Sequence, residues 1–224
     1  MVLLLAIVFW QLNVIMEMRL SDAIPHAPTP LVQPPEERTQ VTTDQGFIEK
    51  FIKESEQSER DRPSLDIDEL ELHVHDLTNV ERAQNGLDRL EYDDALAAVA
   101  RAHSEDMASR GFFDHTNPDG ESPSDRAERQ GYKCRKVGIL YITEGIAENL
   151  AKLSVYESKT SLKYQGKTYY VYEWYSQDEL AEKTVDGWMD SPGHRENILT
   201  EGYDAEGIGV AVSDELVYVT QDFC

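Results

Sequence analysis

The histidines are the residues best able to carry chemistry in this chain, because an imidazole near neutrality can hold a proton, accept one or ligate a metal ion. Five of the six have a local context that can be read. His194 follows Ser191-Pro192-Gly193 in "WMDSPGHRENIL". Pro and Gly together break a helix, Ser191 can cap a new one, and Pro192 fits its first position. That pattern predicts a rigid imidazole in a first helical turn, near the surface. His115 stands just after Phe112-Phe113, at the entrance of a loop marked by Asn117-Pro118-Asp119-Gly120. Two buried aromatics can fix the backbone there while the histidine points the other way. His103 completes the apolar stripe Leu96, Val99, Ala100, Met107 and is expected to face a core. His73 and His75 would share a face only if "DIDELELHVHDL" were a strand, and no third ligand is near them in sequence. Glu148 reads either as a solvated helix-start acid or as a partly buried carboxylate that needs a partner. Cys134 and Cys224 lack CxxC spacing and do not suggest a thiolate metal site.

Composition narrows the setting of these groups. A chain of 224 residues is long enough for one domain of about 150 residues plus accessory segments. Its net charge of −22 repels phosphate backbones and argues against nucleic acid as a partner. Residues 1–16, "MVLLLAIVFWQLNVIM", carry no charged side chain. As a helix they would be roughly 24 Å long, slightly short of a bilayer core of about 30 Å. There is no basic lead-in, but Ser21-Asp22-Ala23 offers small residues for cleavage. Residues 1–23 therefore read as a cleaved signal peptide or as a retained membrane anchor. Either exports the bulk of the chain, so the expected location is extracytoplasmic. In that compartment Cys134 and Cys224 are expected to form a disulfide.

Elements that could position the histidines follow. Residues 24–71 read as a proline-rich and acidic linker, with a short amphipathic helix within "FIEKFIKESEQSE". A helix running from about Asp76 is expected to end near Asn85-Gly86, and Asp93 to cap a second one closed by Gly111. Ser122, Pro123 and Asp125 form a capping box for a short helix, and Ser176 with Glu179 another. Residues 158–175 predict a tyrosine-rich β-hairpin turning at Gln165-Gly166, with aromatics on both faces that require a cover. "GIGVAV" and "ELVYVTQDF" predict two antiparallel strands turning at Ser213-Asp214.

"VERAQNGLDRLEYDDALAAVARAHSEDMA", "GFFDHTNPDGESPSDRAERQGY", "AENLA", "DGWMDSPGHRENIL", "GIGVAV" and "YVTQDF" occur in that order. Together they resemble the CAP superfamily (cysteine-rich secretory proteins, antigen 5 and pathogenesis-related 1 proteins), in particular its bacterial and archaeal branch, the SCP domains. The resemblance covers residues 72–224 and leaves the hairpin around 156–175 as an insertion. It implies an α+β fold, a three-layer α-β-α sandwich around a central antiparallel sheet, with a cleft lined by two histidines and two acids. Residue by residue, the histidines fall on His115 and His194 and the first acid on Glu148. The second acid falls on Ser191 and is missing, with Asp190 as a neighbouring substitute. Two imidazoles and one carboxylate resemble the open three-ligand site of catalytic zinc, so His115, Glu148 and His194 are candidate ligands for Zn2+ or another divalent cation. Without metal, Glu148 could orient a histidine as a base.

Two functions compete on this site. One is a binding module that takes a small molecule, a lipid or an extracellular protein in the cleft. The other is a hydrolase using metal-bound water or a nucleophile such as Ser191. The chain has no Gly-x-Ser-x-Gly elbow and no His-Glu-x-x-His helix, which favours the binding module.

Overall fold

The computed structural model describes residues 17–19, 35–137 and 142–224. The apolar segment 1–16 and most of the proline-rich stretch lie outside the described residues. Among the described residues, no helix is long and apolar enough to cross a membrane.

The centre is a four-stranded sheet in the order β3 (Glu91–Tyr92), β9 (Ala205–Ser213), β10 (Leu216–Phe223), β6 (Ala147–Ser154). The three long strands are antiparallel, β3 adds a short parallel pairing at the β9 edge, and β1 (Glu17–Arg19), β5 (Ile142–Glu144) and β4 (Arg135–Val137) form a separate small sheet in that order. On one face lies α3 (Asp94–Arg110), capped by Asp93 and closed by Gly111 in the left-handed conformation. On the other lie α2 (Ile67–Gln84) and α5 (Gln177–Asp190), whose Leu70, Val74, Leu180, Val185 and Trp188 pack with Ile208, Val210, Val217 and Val219 of the sheet. This is the three-layer α-β-α sandwich expected.

The two faces differ because successive side chains on a strand point opposite ways. Ile208 and Val210 fill the core under α2 and α5, whereas Gly207 and Gly209 face α3. A Cβ built on Gly209 would lie 1.9 Å from the Arg101 backbone nitrogen, and one on Gly207 2.1 Å from that of Ala97. Helix α3 therefore rests on bare backbone. Ser104 fastens it there, donating to the Gly209 carbonyl at 2.8 Å and lying 2.8 Å from the Thr220 hydroxyl. The Cys134–Cys224 disulfide forms, with Cα atoms 5.5 Å apart and a sequence separation of 90, tying the end of the sheet to the segment after α4 (Pro123–Arg129).

Three expectations change. The stretch carrying His73 and His75 is helical, since α2 starts at Ile67 with Asp66 as its side-chain cap, ahead of the Leu72 boundary. Two residues apart on a helix do not face one another, so the paired-histidine metal reading falls. The region 24–71 is not all linker. Within it, β2 (Glu36–Gln40) pairs in parallel with β7 (Tyr156–Tyr164), which forms the hairpin with β8 (Lys167–Trp174). The helix α1 (Gln45–Arg60) supplies the cover the hairpin needs, burying Ile48 and Phe51 against Leu162 and packing on Tyr164, Tyr169 and Val171. Ser55 and Ser58 accept hydrogen bonds from the backbone amides of Tyr170 and Tyr172, closing the otherwise open edge of β8. The third change concerns Glu148, which lies on strand β6 and not at a helix start.

Direct helix-on-backbone contact makes a small substitution costly. Gly209→Ala is expected to lower unfolding free energy by at least about 1–3 kcal/mol, the range for overpacking a filled core, with secondary structure retained. Urea unfolding followed by circular dichroism measures it. A change within experimental error would show that α3 does not sit on β9 as described.

Candidate functional site

The site forms where the sheet ends at β6. Glu148 and Asn149, adjacent on that strand, point to opposite faces, and both are buried. On the α3 face, Glu148 Oε1 receives the Nδ1–H of His115 at 2.8 Å. Its Oε2 is bound by the Arg126 guanidinium, which comes from α4. Arg126 also donates to the carbonyls of His115 at 2.7 Å and of Glu121 at 3.1 Å, so it holds the loop that carries His115 as well as the carboxylate. His103 lies beneath them, fully buried, with Nε2 3.0 Å from the Asp114 carbonyl and 4.0 Å from Glu148 Oε2. It faces the core as its spacing predicted, and it also forms the floor of the site.

Electrostatics follow from this packing. Burial works against an ionised Glu148, but the charge of Arg126 and the His115 hydrogen bond outweigh it and hold the carboxyl well below its ordinary range. An ionised Glu148 accepts from His115, which puts a hydrogen on Nδ1 of that ring. Asp222 stands opposite Glu148 in the β6–β10 register, and both of its oxygens are buried with no N–H or hydroxyl group donating to them, the Glu148 carboxyl being the group they meet. Burial, and after it the neighbouring Glu148 charge, push its carboxyl well above the ordinary value, so Asp222 holds a proton more readily than Glu148 does.

His194 comes from the short helix α6 (Pro192–Ile198), which with α5 closes the free edge of β6. Trp188 Nε1 donates to the Leu150 carbonyl at 3.0 Å and Asn197 Nδ2 to that of Glu148 at 3.3 Å. These are carbonyls that no strand pairs. Asn149 reaches across to the His194 carbonyl at 3.2 Å. The His194 ring is 0% exposed, and neither of its nitrogens has a hydrogen-bond partner. Burial, and after it repulsion from a charge on His115, lowers it to about 4, so it is neutral near pH 7.

The structure sets His115 against Glu148 and carries His194 on α6, whose Asn197 holds the Glu148 carbonyl; all three are buried, His115 at 7% and Glu148 at 6% exposed. An imidazole in the first turn of α6 is buried because α6 folds back over the β6 edge. Pro192 starts that helix as expected, yet the Ser191 side chain makes no capping bond. Asp190 is exposed at the end of α5 and does not supply the second acid. The other acid beside Glu148 is Asp222, its partner in the strand register. Nor do the residues fit the three-ligand metal set, since both Glu148 oxygens are already bound, and among the described residues no group of three His, Cys, Asp or Glu side chains could hold a metal ion. Arg126 and Asp222 went unread in the sequence. A capping-box helix hides an inward arginine, and alternation along "YVTQDF" says only that Asp222 and Gln221 lie on opposite faces.

Because His194 takes up its proton less readily when folded, the unfolded chain binds more protons between about pH 6.5 and 4, and stability falls as pH drops through that window. His194→Leu is expected to flatten the decline by up to about 1.4 kcal/mol per pH unit. Urea unfolding at pH 7, 6 and 5 measures it. Equal slopes in variant and wild type would contradict the buried neutral imidazole.

Comparison with known proteins agrees with this architecture. The family model described as cysteine-rich secretory protein family, CAP, matches residues 75–223. Two relatives come from Bacillus subtilis (strain 168). Uncharacterized protein YkwD is 33% identical over 146 residues, 65% of this chain and 44% of that protein. Uncharacterized membrane protein YlbC is 31% identical over 153 residues, 68% of this chain and 34% of that protein. The chain thus spans less than half the length of either. Among solved structures, an outer surface protein from Borrelia burgdorferi matches with a TM-score of 0.50 at 18% identity, over 71% of this chain and 94% of that one, a likeness of fold. With its central sheet, its three layers and the family match over two-thirds of its length, the chain belongs to the cysteine-rich secretory protein (CAP) family.

Proposed function

We propose that this CAP domain is an extracytoplasmic binding module that takes a ligand or partner group at the His194 ring, at the site built around Glu148, and does not turn it over. The observation that carries this reading is His194: a neutral ring with one donor and one acceptor, both buried and unmatched. A buried polar group without a partner costs about 1–3 kcal/mol, and a bound group meeting both nitrogens would recover it. A small molecule, the headgroup of a lipid or a side chain of an extracellular protein could each do so. Export fits the disulfide, which persists in oxidising compartments, and the names of relatives described as a membrane protein and an outer surface protein. Anchorage to a membrane would rest on residues 1–16.

Hydrolysis has less support. A serine nucleophile needs a base within hydrogen-bond reach, and the His194 ring makes no bond to Ser191. Metal-bound water would need Glu148 as a ligand, and Arg126 and His115 hold that carboxylate. A divalent cation is left with two imidazoles, short of the three protein ligands usual for catalytic zinc.

The test is a panel of peptide and ester substrates run beside binding to defined lipids and peptides, with and without Zn2+. The expected result is no turnover above the His194→Ala background, together with at least one compound retained by the wild type and lost in that variant. Turnover abolished by Ser191→Ala or His194→Ala would establish the hydrolase instead.

A further inference from the structure

On the face opposite Glu148, a line of buried polar side chains runs from α2 through the sheet to the start of α6. At its outer end the Asn79 amide is pinned by the Leu90 backbone, donating to the Leu90 carbonyl at 3.1 Å while its oxygen accepts the Leu90 N–H at 2.7 Å. Its nitrogen therefore also presents a hydrogen to His75 Nε2 at 3.1 Å, so His75 carries its own hydrogen on Nδ1 and donates to Glu206 Oε1 at 2.7 Å. From the other side Gln221 Nε2 donates to Glu206 Oε2 at 2.6 Å and to the Thr78 hydroxyl at 3.0 Å. Gln221 Oε1 then accepts from Asn149 at 3.0 Å, and Asn149 Oδ1 from Asn197 at 2.8 Å. Asn149 and Asn197 also donate to the carbonyls of His194 and Glu148.

Every amide between Glu206 and α6 is oriented the same way, with its donor toward Glu206. Only a group that accepts on both oxygens fits between the His75 and Gln221 donors. A carboxylate does, and an isosteric amide does not, because one of its two ends must donate. We propose that Glu206 is a positioning residue for the site: through Gln221 and Asn149 it sets the amide polarity that holds the His194 carbonyl, and with it the start of α6. Its use rests on the binding reading given above, but its geometry does not require a ligand.

The test is made on the full chain, without ligand, by NMR. In the wild type the side-chain amide protons of Gln221 and Asn149 should exchange slowly with solvent. Rapid exchange of both would overturn the proposal whatever the variants do. Glu206→Gln should shift the Asn149 side-chain signals and speed exchange of the α6 amides by about tenfold, the loss of about one hydrogen bond. Combining Glu206→Gln with Gln221→Glu exchanges the two groups and matches donors to acceptors again. The amide now at position 206 can accept from His75 and donate to the carboxylate at position 221, which accepts from Asn149. The pair should return α6 exchange to the wild-type rate. A folded Glu206→Gln whose Asn149 and α6 signals match the wild type would overturn the proposal, as would a folded pair that fails to restore them. If Glu206→Gln alone does not fold, the pair and the wild-type exchange decide. A wild type that retains no compound in the binding panel would count against the binding reading and not against this one.

Discussion

A buried carboxylate cannot stand alone in a protein interior, and the pairing of Glu148 with Arg126 is the constraint on which the rest of this site depends. Glu148 must lie at the end of the sheet on the α3 face, so the matching cation has to come from α4, the element that can reach it. Arg126 gives its Nη1 hydrogens to the carbonyls of His115 and Glu121, which draws the loop between α3 and α4 over the carboxylate. His115 is then placed by two bonds, one to its backbone and one to its ring. The same charges bear on protonation around them: Arg126 and His115 hold the Glu148 carboxyl low, burial and Glu148 push the Asp222 carboxyl up, and burial, then His115, lower the His194 imidazole.

The β6 edge does the rest. A strand at the end of a sheet leaves carbonyls that must be satisfied, and here α5 and α6 satisfy them with Trp188 and Asn197. That requirement carries His194 round the edge to meet residues of the opposite face. The two faces of β6 therefore serve one site, Glu148 with its charges on one side and Asn149 with its amides on the other. The same logic recurs in the insertion, where two serines of α1 cover the open edge of β8.

Much of this was legible in the sequence, for reasons that can be named. Asp93, Ser122 and Ser176 cap helices through contacts within three residues, and Gln165-Gly166 turns a hairpin locally, so local pattern was enough. His115, Glu148 and His194 were found through resemblance, since sequence separations of 33 and 46 residues lie between them and no spacing rule joins them. Depth was not legible. His194 looked exposed because a helix start usually is, and only the need to cover β6 buries it. Arg126 and Asp222 were hidden for a related reason: which face a charged residue takes depends on a partner elsewhere in the chain. The helix α1 is legible as a short amphipathic helix, but its docking is not, because its few apolar residues suffice only once the hairpin lies against them.

The most direct test of this account is a double-mutant cycle on the central pair, using Glu148→Gln, Arg126→Met and both together, with unfolding free energies from urea denaturation at pH 7. Removing one member of a buried ion pair typically costs about 3–5 kcal/mol because the other charge is stranded. Each single variant is expected to show that loss, and the double variant to lose several kcal/mol less than the sum, since each single strands a charge that the double does not, while the carbonyl bonds lost with Arg126 are common to both legs and cancel. Costs that add to within about 0.5 kcal/mol, as for independent sites, would contradict the claim that the Glu148–Arg126 pair organises the site.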